Sequence, residues 1–317
     1  MKKIIVPILA VSVLLGGCSK TLIDDPQAST QKKIDQKVVS SGEIINKDSK
    51  KIMAEYVRMM KKEAKPYEVV FFIDKNIRKV VQENANEMII ELESYQNIYG
   101  EKYTDILFSK DFQIELMRSF SEKADEEAIN QIQDAKLKDL MYEMIHGGYK
   151  FISLEGDYYP IINYEVLKKY KSYLSDDIKE YIDLMAEESN QVMSDDAGLM
   201  ISLDELGNRV ITVEKHLEKY PDSRTKKQAS TLYLNYFQAY IWGLPNTPLW
   251  DTETKKISDE ALSSYKKIVA ENKESKSAKA LKDYIKAIEA NNMKETDQIN
   301  QFRDGLYKEV VQQLNIE

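Results

Sequence analysis

The sequence predicts a mainly α protein, a multi-helix bundle or helix-hairpin array, and three observations carry that expectation. From Asp48 onward apolar residues recur at three- and four-residue spacing, the period that gathers them on one helix face. Glycine (11) and proline (7) are scarce in 317 residues, against the turn chemistry of β sandwiches and barrels. Alternating apolar residues stand out in one segment, 149–162.

Taken in order, Ile52, Tyr56 and Met59/Met60 form the first stripe, and Pro66 breaks it. Ile73, Ile77, Val80/Val81, Met88, Leu92 and Tyr95 form a long stripe that Gly100 is expected to stop. Helices are expected near 104–121 (Ile106, Phe112, Leu116, Phe120) and 124–146 (Ile129, Ile132, Leu140, Met144), the second ended by Gly147-Gly148. These segments read as an antiparallel bundle with short connections. In 149–162, YKFISLEGDYYPII, apolar residues alternate around Glu155-Gly156-Asp157, which predicts a short hairpin or an extended crossover and marks a boundary between two helical portions.

The second half returns to helical spacing over Tyr164–Tyr173. Ser175-Asp176-Asp177 offers N-cap chemistry for a helix over Ile178–Glu188. Ser202-Leu203-Asp204-Glu205 is a capping box opening a helix through Val210, Val213 and Leu217 to Tyr220, and Pro221-Asp222-Ser223 ends it. Leu232, Tyr236 and Tyr240 give the next apolar face. After GLPNTPLWDTETKK, three helices fit 258–271, 276–290 and 297–314.

The first residues have a different design. MKKIIVPILAVSVLLGGCSK has Lys2 and Lys3, an apolar run from Ile4 to Leu15, and small residues before Cys18, the layout of a secretory signal. The run is shorter than the roughly 20 residues of a spanning helix. A membrane anchor helix, or a plain signal with a chance cysteine, is the competing reading. Leu15, Gly16, Gly17 and Cys18 resemble the lipobox of bacterial lipoproteins. The resemblance implies diacylglyceryl transfer to the Cys18 sulfur by lipidation enzymes, cleavage before it by signal peptidase II, and a palmitate-type N-acyl chain as a further modification. Cys18 is the one cysteine in the chain, so no internal disulfide is available and the lipobox accounts for it. Each buried methylene contributes about 0.8 kcal/mol, so one acyl chain holds marginally and two hold stably.

The expected organisation is therefore 1–17 signal peptide, 18–47 lipidated N-terminus and flexible tether, 48–148 a first helical portion, and 149–317 a second, the two forming one domain or two. A tether of that length spans about 30 Å root-mean-square. Removing 1–17 takes away Lys2 and Lys3 and moves the net charge from −8 to −10. An acidic body argues against nucleic acid, which wants a basic face, and against lying flat on anionic lipid.

Two further resemblances concern the second half. The pair at 203–242, with HLEKYPDS between its helices, is similar to a tetratricopeptide-like hairpin, without a clear second copy at a 34-residue period. GDYYPIINYEVLKKYKSYLSDDIKEYIDLMAEES, LDELGNRVITVEKHLEKYPDS and GLPNTPLWD, within 156–251, look like segments of lipoproteins and secreted proteins of Gram-positive bacteria that have no assigned activity. That resemblance implies localisation and fold, and brings no catalytic residues.

The residues for chemistry are few. His146 and His216 have no second histidine or cysteine nearby; His146, before the glycine stop, suits the carbonyl end of a helix dipole. No zinc motif, Gly-rich phosphate loop or G-x-S-x-G elbow occurs, so no catalytic residue, metal site or resident cofactor is expected beyond the lipid on Cys18. Of the acidic pairs Asp24-Asp25, Asp176-Asp177 and Asp195-Asp196, the second suits a helix start, and Asp195-Asp196-Ala197-Gly198 lacks the D-x-D-x-D-G spacing of a calcium loop. Glu155 and Asp157, beside Tyr158 and Tyr159, are the least arbitrary glycosidase-type pair. Tyrosine (20 against 8 Phe) suggests another chemistry: Tyr158, Tyr159, Trp242 and Trp250 lie in or beside expected loops, where aromatics contact sugars, peptides or proteins. Core and hairpin packing is the competing explanation. The expected function is a lipid-anchored extracytoplasmic cell-envelope protein, a non-enzymatic binder or scaffold of a protein or envelope polymer. A cell-envelope hydrolase with paired carboxylates and a transporter-associated solute binder are the alternatives.

Overall fold

A computed structural model of the chain describes residues 48–109, 112–120 and 126–316. The first helix, α1, spans 48–61. Its buried Tyr56 donates to the Met88 carbonyl at 3.0 Å. Buried Ser49 accepts from Val81 N–H at 3.1 Å and Asn84 Nδ2 at 2.7 Å, so the start of α1 is tied to the start of the third helix. Helix α2 is Pro66–Asn76, and the proline that breaks the first stripe opens the next helix, where its missing N–H costs nothing. A 3-10 turn, Ile77–Lys79, leads into α3, Gln82–Ser109.

Three expectations fail along this stretch. The residues of the helix expected near 104–121 fall partly in α3 and partly in a separate helix, Phe112–Ser119. Gly100 does not stop a helix; it lies inside α3. A helical glycine costs about 1 kcal/mol against alanine, and the helix continues because Tyr103 and Leu107, one and two turns on, are buried, with Tyr103 edge-on to Tyr149 at 5.4 Å. The helix expected over 124–146 is interrupted. Helix α4 is Phe112–Ser119, α5 is Glu126–Gln131, and α6, Ala135–His146, begins afresh because Asp134 accepts from the amides of Lys136 and Leu137.

Strands β1 (Tyr149–Leu154) and β2 (Asp157–Ile162) form an antiparallel hairpin in which Tyr149 faces Ile162 and Leu154 faces Asp157. Glu155 and Gly156 both have positive φ, 51° and 91°, as a two-residue turn of this hand requires. Helix α7, Tyr164–Leu167, runs into a 3-10 turn, Lys168–Tyr173, and α8 is Asp176–Asn190. Helices α9 (Leu203–Lys219) and α10 (Lys226–Trp242) form the helix pair expected at 203–242. Gly207 lets them close: a Cβ there would stand 2.7 Å from the Tyr240 hydroxyl and 2.8 Å from Ile268, so the start of α9 lies against the end of α10. Helices α11 (Asp259–Glu271), α12 (Lys276–Ala290) and α13 (Asp297–Gln313) complete the array, each opened by a side chain that accepts an N–H three residues on, from Ser258, Ser275 and Thr296. Two-residue strands β3/β4 (Ser194–Asp195, Gly198–Leu199) and β5/β6 (Gly243–Leu244, Thr247–Pro248) make small hairpins between the helices.

Apolar packing divides into three clusters that do not follow chain order. One joins α1, α2 and the first half of α3 to Ile162, Tyr164 and residues through Ala186. A second gathers the end of α3, α4, α5, α6 and Tyr149. The third runs from α8 to Ile316. Helix α8 joins the first and third: Ile178, Ile182 and Ala186, four residues apart, face one, while Tyr181 and Leu184 face the other. Among the described residues, no helix is long and apolar enough to cross a membrane.

Candidate functional site

Leu15, Gly16, Gly17, Cys18 and Asp24-Asp25 lie outside the described residues. The four aromatics are built into the fold. Tyr158 donates its hydroxyl to the Phe120 carbonyl at 2.9 Å, and its backbone is clamped at both polar atoms by the Gln113 amide. Tyr159 packs on Phe108 with ring centres 5.2 Å apart. Trp242 meets Tyr307 edge-on at 5.0 Å and lies beneath the Arg303 guanidinium at 5.2 Å. Trp250, 6% exposed, is in the core of the third cluster. Tyr158 and Tyr159 thus belong to the hairpin and the two tryptophans to the C-terminal array; their packing does not gather them into one site.

His146 is exposed at the end of α6, stacked on Tyr142 at 6.1 Å. His216 is buried in α9, neither ring nitrogen has a hydrogen-bond partner, and burial lowers its pKa against the pull of Glu180, 4.0 Å away. Asp176 pairs with Lys179 at 2.8 Å, and Asp177 accepts from the Ser175 and Ser223 hydroxyls. Asp196 and Ala197, both at positive φ, form the β3/β4 turn, and Asn246 bonds their carbonyls. Among the described residues, no group of three or more His, Cys, Asp or Glu is placed to hold a metal ion.

Carboxylates gather elsewhere. Arg209, buried in α9, donates to Glu205 at 3.1 Å, to Glu188 at 3.0 Å and to the Gln191 carbonyl at 2.8 Å, and Tyr236 donates to Glu188 at 2.6 Å. Partial burial raises the pKa of Glu187; Arg209 pulls it down, and Glu205 and Glu188 push it up. Deeper, Glu93 of α3 is buried and accepts from the hydroxyls of Tyr164 and Tyr181. Burial raises its pKa, opposed by both tyrosines. A carboxyl so placed locks α3, α7 and α8 together and is closed to substrate.

Two surfaces face outward. Along α2, Phe71 is 61% exposed and Tyr67 is exposed beside it, with Lys75 over the Phe71 ring at 4.8 Å. They line a concavity of about 850 Å³ with Met59 of α1 and His146 of α6. Phe108, Ile114 and Met117, at the end of α3 and on α4, add further exposed apolar groups. The second surface is a groove of about 720 Å³ between α3, β2 and α8, whose lining includes Ile161, Met185, Glu101, Asp105 and Glu188. Gly100 lines it, and a Cβ there would meet only Tyr149, at 3.6 Å, so the missing side chain leaves the groove open.

Neither surface was visible in the sequence. Both join residues 50 to 90 positions apart, and the run VVFFI in α2 has no period that says which aromatic turns outward. No protein-family model, curated protein or solved structure matches this chain.

Proposed function

We propose that the chain is a lipid-anchored extracytoplasmic protein of the cell envelope that acts by binding, as a scaffold for another envelope protein, without catalysis. The anchor is the diacylated Cys18, reached through the lipobox Leu15-Gly16-Gly17-Cys18. The observation that carries the binding role is the exposed apolar character of the first half: Tyr67 and Phe71 are large, exposed and line a concavity, and Phe108, Ile114 and Met117 are exposed elsewhere on α3 and α4. Exposed aromatic and apolar groups in a concave setting are the usual substrate of protein association. An envelope polymer is the competing occupant.

The test has two parts. Cys18→Ala removes the lipidated thiol and is expected to abolish acyl labelling and leave uncut precursor or release the protein to the medium; unchanged labelling and membrane retention contradict the anchor. Affinity capture of chemically crosslinked protein, with a Tyr67→Asp/Phe71→Asp variant as control, is expected to recover a protein neighbour that the variant loses. Recovery of glycan alone contradicts the protein scaffold.

One observation favours the hydrolase reading. Glu187, partly buried and raised in pKa, lies beside Glu205, which is ion-paired with Arg209 at 3.1 Å, and two neighbouring carboxyls in unlike surroundings are what an acid and a base require. Degradation of purified cell wall by the full chain, lost in Glu187→Gln and Glu205→Gln, would replace the scaffold reading with that one.

A further inference from the structure

We infer that the outer end of the Arg303 guanidinium, where α13 meets α10 and α12, binds the carboxylate of a small organic acid. The site is separate from the exposed face of α2 and stands whether or not that face docks a protein.

Two arginines are buried among the described residues, and their surroundings differ. Arg209, 2% exposed, gives its N–H groups to two carboxylates and a backbone carbonyl. Arg303, 7% exposed, makes no ion pair or hydrogen bond among the described residues. Its Nε is closed to water and has no acceptor. Nη1 and Nη2 have no acceptor either but stay open to water, so the accessible part of the residue includes the outer end of its fork. A buried cation is costly unless it is paired and hydrogen-bonded. Arg209 shows how this fold satisfies such a group from within; at Arg303 the counter-ion has to come from outside.

The head group is held in place by aromatic rings. Its central carbon lies 5.2 Å from the centre of the Trp242 ring, and Tyr307, one turn further along α13, meets the same ring edge-on at 5.0 Å. Phe302, the residue before Arg303, is stacked on Tyr284 of α12. The Tyr284 hydroxyl is buried without a hydrogen-bond partner; burial pushes it up to about 12, against the pull of Arg303, so the two groups are neighbours. An indole attracts a cation through the face of its ring and accepts no in-plane N–H. The Trp242 contact therefore positions the fork and leaves its end-on donors for another acceptor.

The chemistry of that acceptor follows. The donors on Nη1 and Nη2 are coplanar, which matches the two oxygens of a carboxylate. A doubly charged anion is disfavoured, because Glu295 and Asp304 both act on Tyr284 and so bring negative charge to the same neighbourhood. Neither acid forms an ion pair with Arg303. The small exposed fraction of Arg303 admits a compact head group.

The test is titration of the full chain with sodium acetate at constant ionic strength, read by nuclear magnetic resonance of the arginine Nε–H groups. The Arg303 peak is identified by its loss in Arg303→Lys. A saturable shift of that peak is expected, with the Arg209 peak unmoved. Acetate is also expected to raise the thermal midpoint of the parent but not of Arg303→Met, whose affinity falls about tenfold or more. Dibasic phosphate is expected to bind about tenfold more weakly than acetate. If Arg303→Met does not fold, the Arg303 peak of the parent still decides. A peak that stays put or drifts without saturating overturns the site and leaves Arg303 a packing residue. So do undiminished binding in a folded Arg303→Met protein and phosphate binding as tight as acetate. A response that appears only in Glu295→Gln would make Glu295 the counter-ion and overturn it equally.

Discussion

The two halves of the described chain spend their apolar residues differently. From α8 onward the helices form one continuous core, and the large apolar groups left exposed there are Met200 and Phe302, the latter stacked on Tyr284 at 6.3 Å. Before α8 the core is split in two, and Val57, Tyr67, Phe71, Ile98, Phe108, Ile114, Met117, Val166 and Tyr173 are exposed. A domain that needed only to fold could bury more of these. The contrast teaches that the array gathers its apolar groups into one core, whereas the first half leaves outside its two cores the groups on which the proposed binding role rests.

The comparison can be broken first where the array is most tightly specified. Glu214, fully buried in α9, accepts from the amides of Lys276 and Ser277 and from the Ser277 hydroxyl, so it caps α12 from a neighbouring helix. Glu214→Ala is expected to cost about 3 kcal/mol by stranding those donors. Trp242 and Trp250 both lie in the array, so fluorescence-detected urea unfolding reads the loss directly; an unchanged midpoint would contradict the capping role. Gly207→Val comes next, at about 2 kcal/mol, because the added methyls meet Tyr240 and Ile268.

Two buried groups, one in each half, should differ in the sign of their pH dependence. Glu93, in the first half, has a folded pKa raised by burial, so its contribution to stability is present below its unfolded value near 4.5 and is lost as pH rises through the folded value. His216, in the array, is depressed below 6.5, so stability is fully present above 6.5 and falls as pH drops through that value. Urea midpoints measured from pH 4 to 8 are expected to show a smaller loss on the alkaline side in Glu93→Gln and a smaller loss on the acid side in His216→Phe. Identical profiles in parent and variants would remove both assignments. The smallest effect is at the exposed face: Phe71→Ser or Ile114→Ser should alter stability by less than about 0.5 kcal/mol. A loss of several times that would mean the face is structural.

The array was the more legible half. Helices expected at 258–271, 276–290 and 297–314 occur as Asp259–Glu271, Lys276–Ala290 and Asp297–Gln313, because Ser258, Ser275 and Thr296 state their starts in local chemistry. In the first half local signals competed with tertiary ones. Gly100 reads as a stop, but the packing of Tyr103 against Tyr149 carries the helix past it. Asp134 is a cap that an apolar period running from Ile129 to Met144 concealed. The hairpin at 149–162 was stated by Glu155-Gly156, yet the same tyrosines that suggested a ligand are held by Gln113, Phe120 and Phe108. Gln96 gives no sign of its burial in the sequence, since its side-chain amide is fixed by the Gly147 carbonyl fifty-one positions away.

The most direct test of the contrast between the halves is in-cell photo-crosslinking with a photoreactive side chain placed at Phe71, Ile114 or Phe302 of the full-length protein. The account predicts a discrete protein adduct from Phe71 and Ile114 and none from Phe302. Adducts from Phe302 alone, or the same ladder from all three positions, would contradict it.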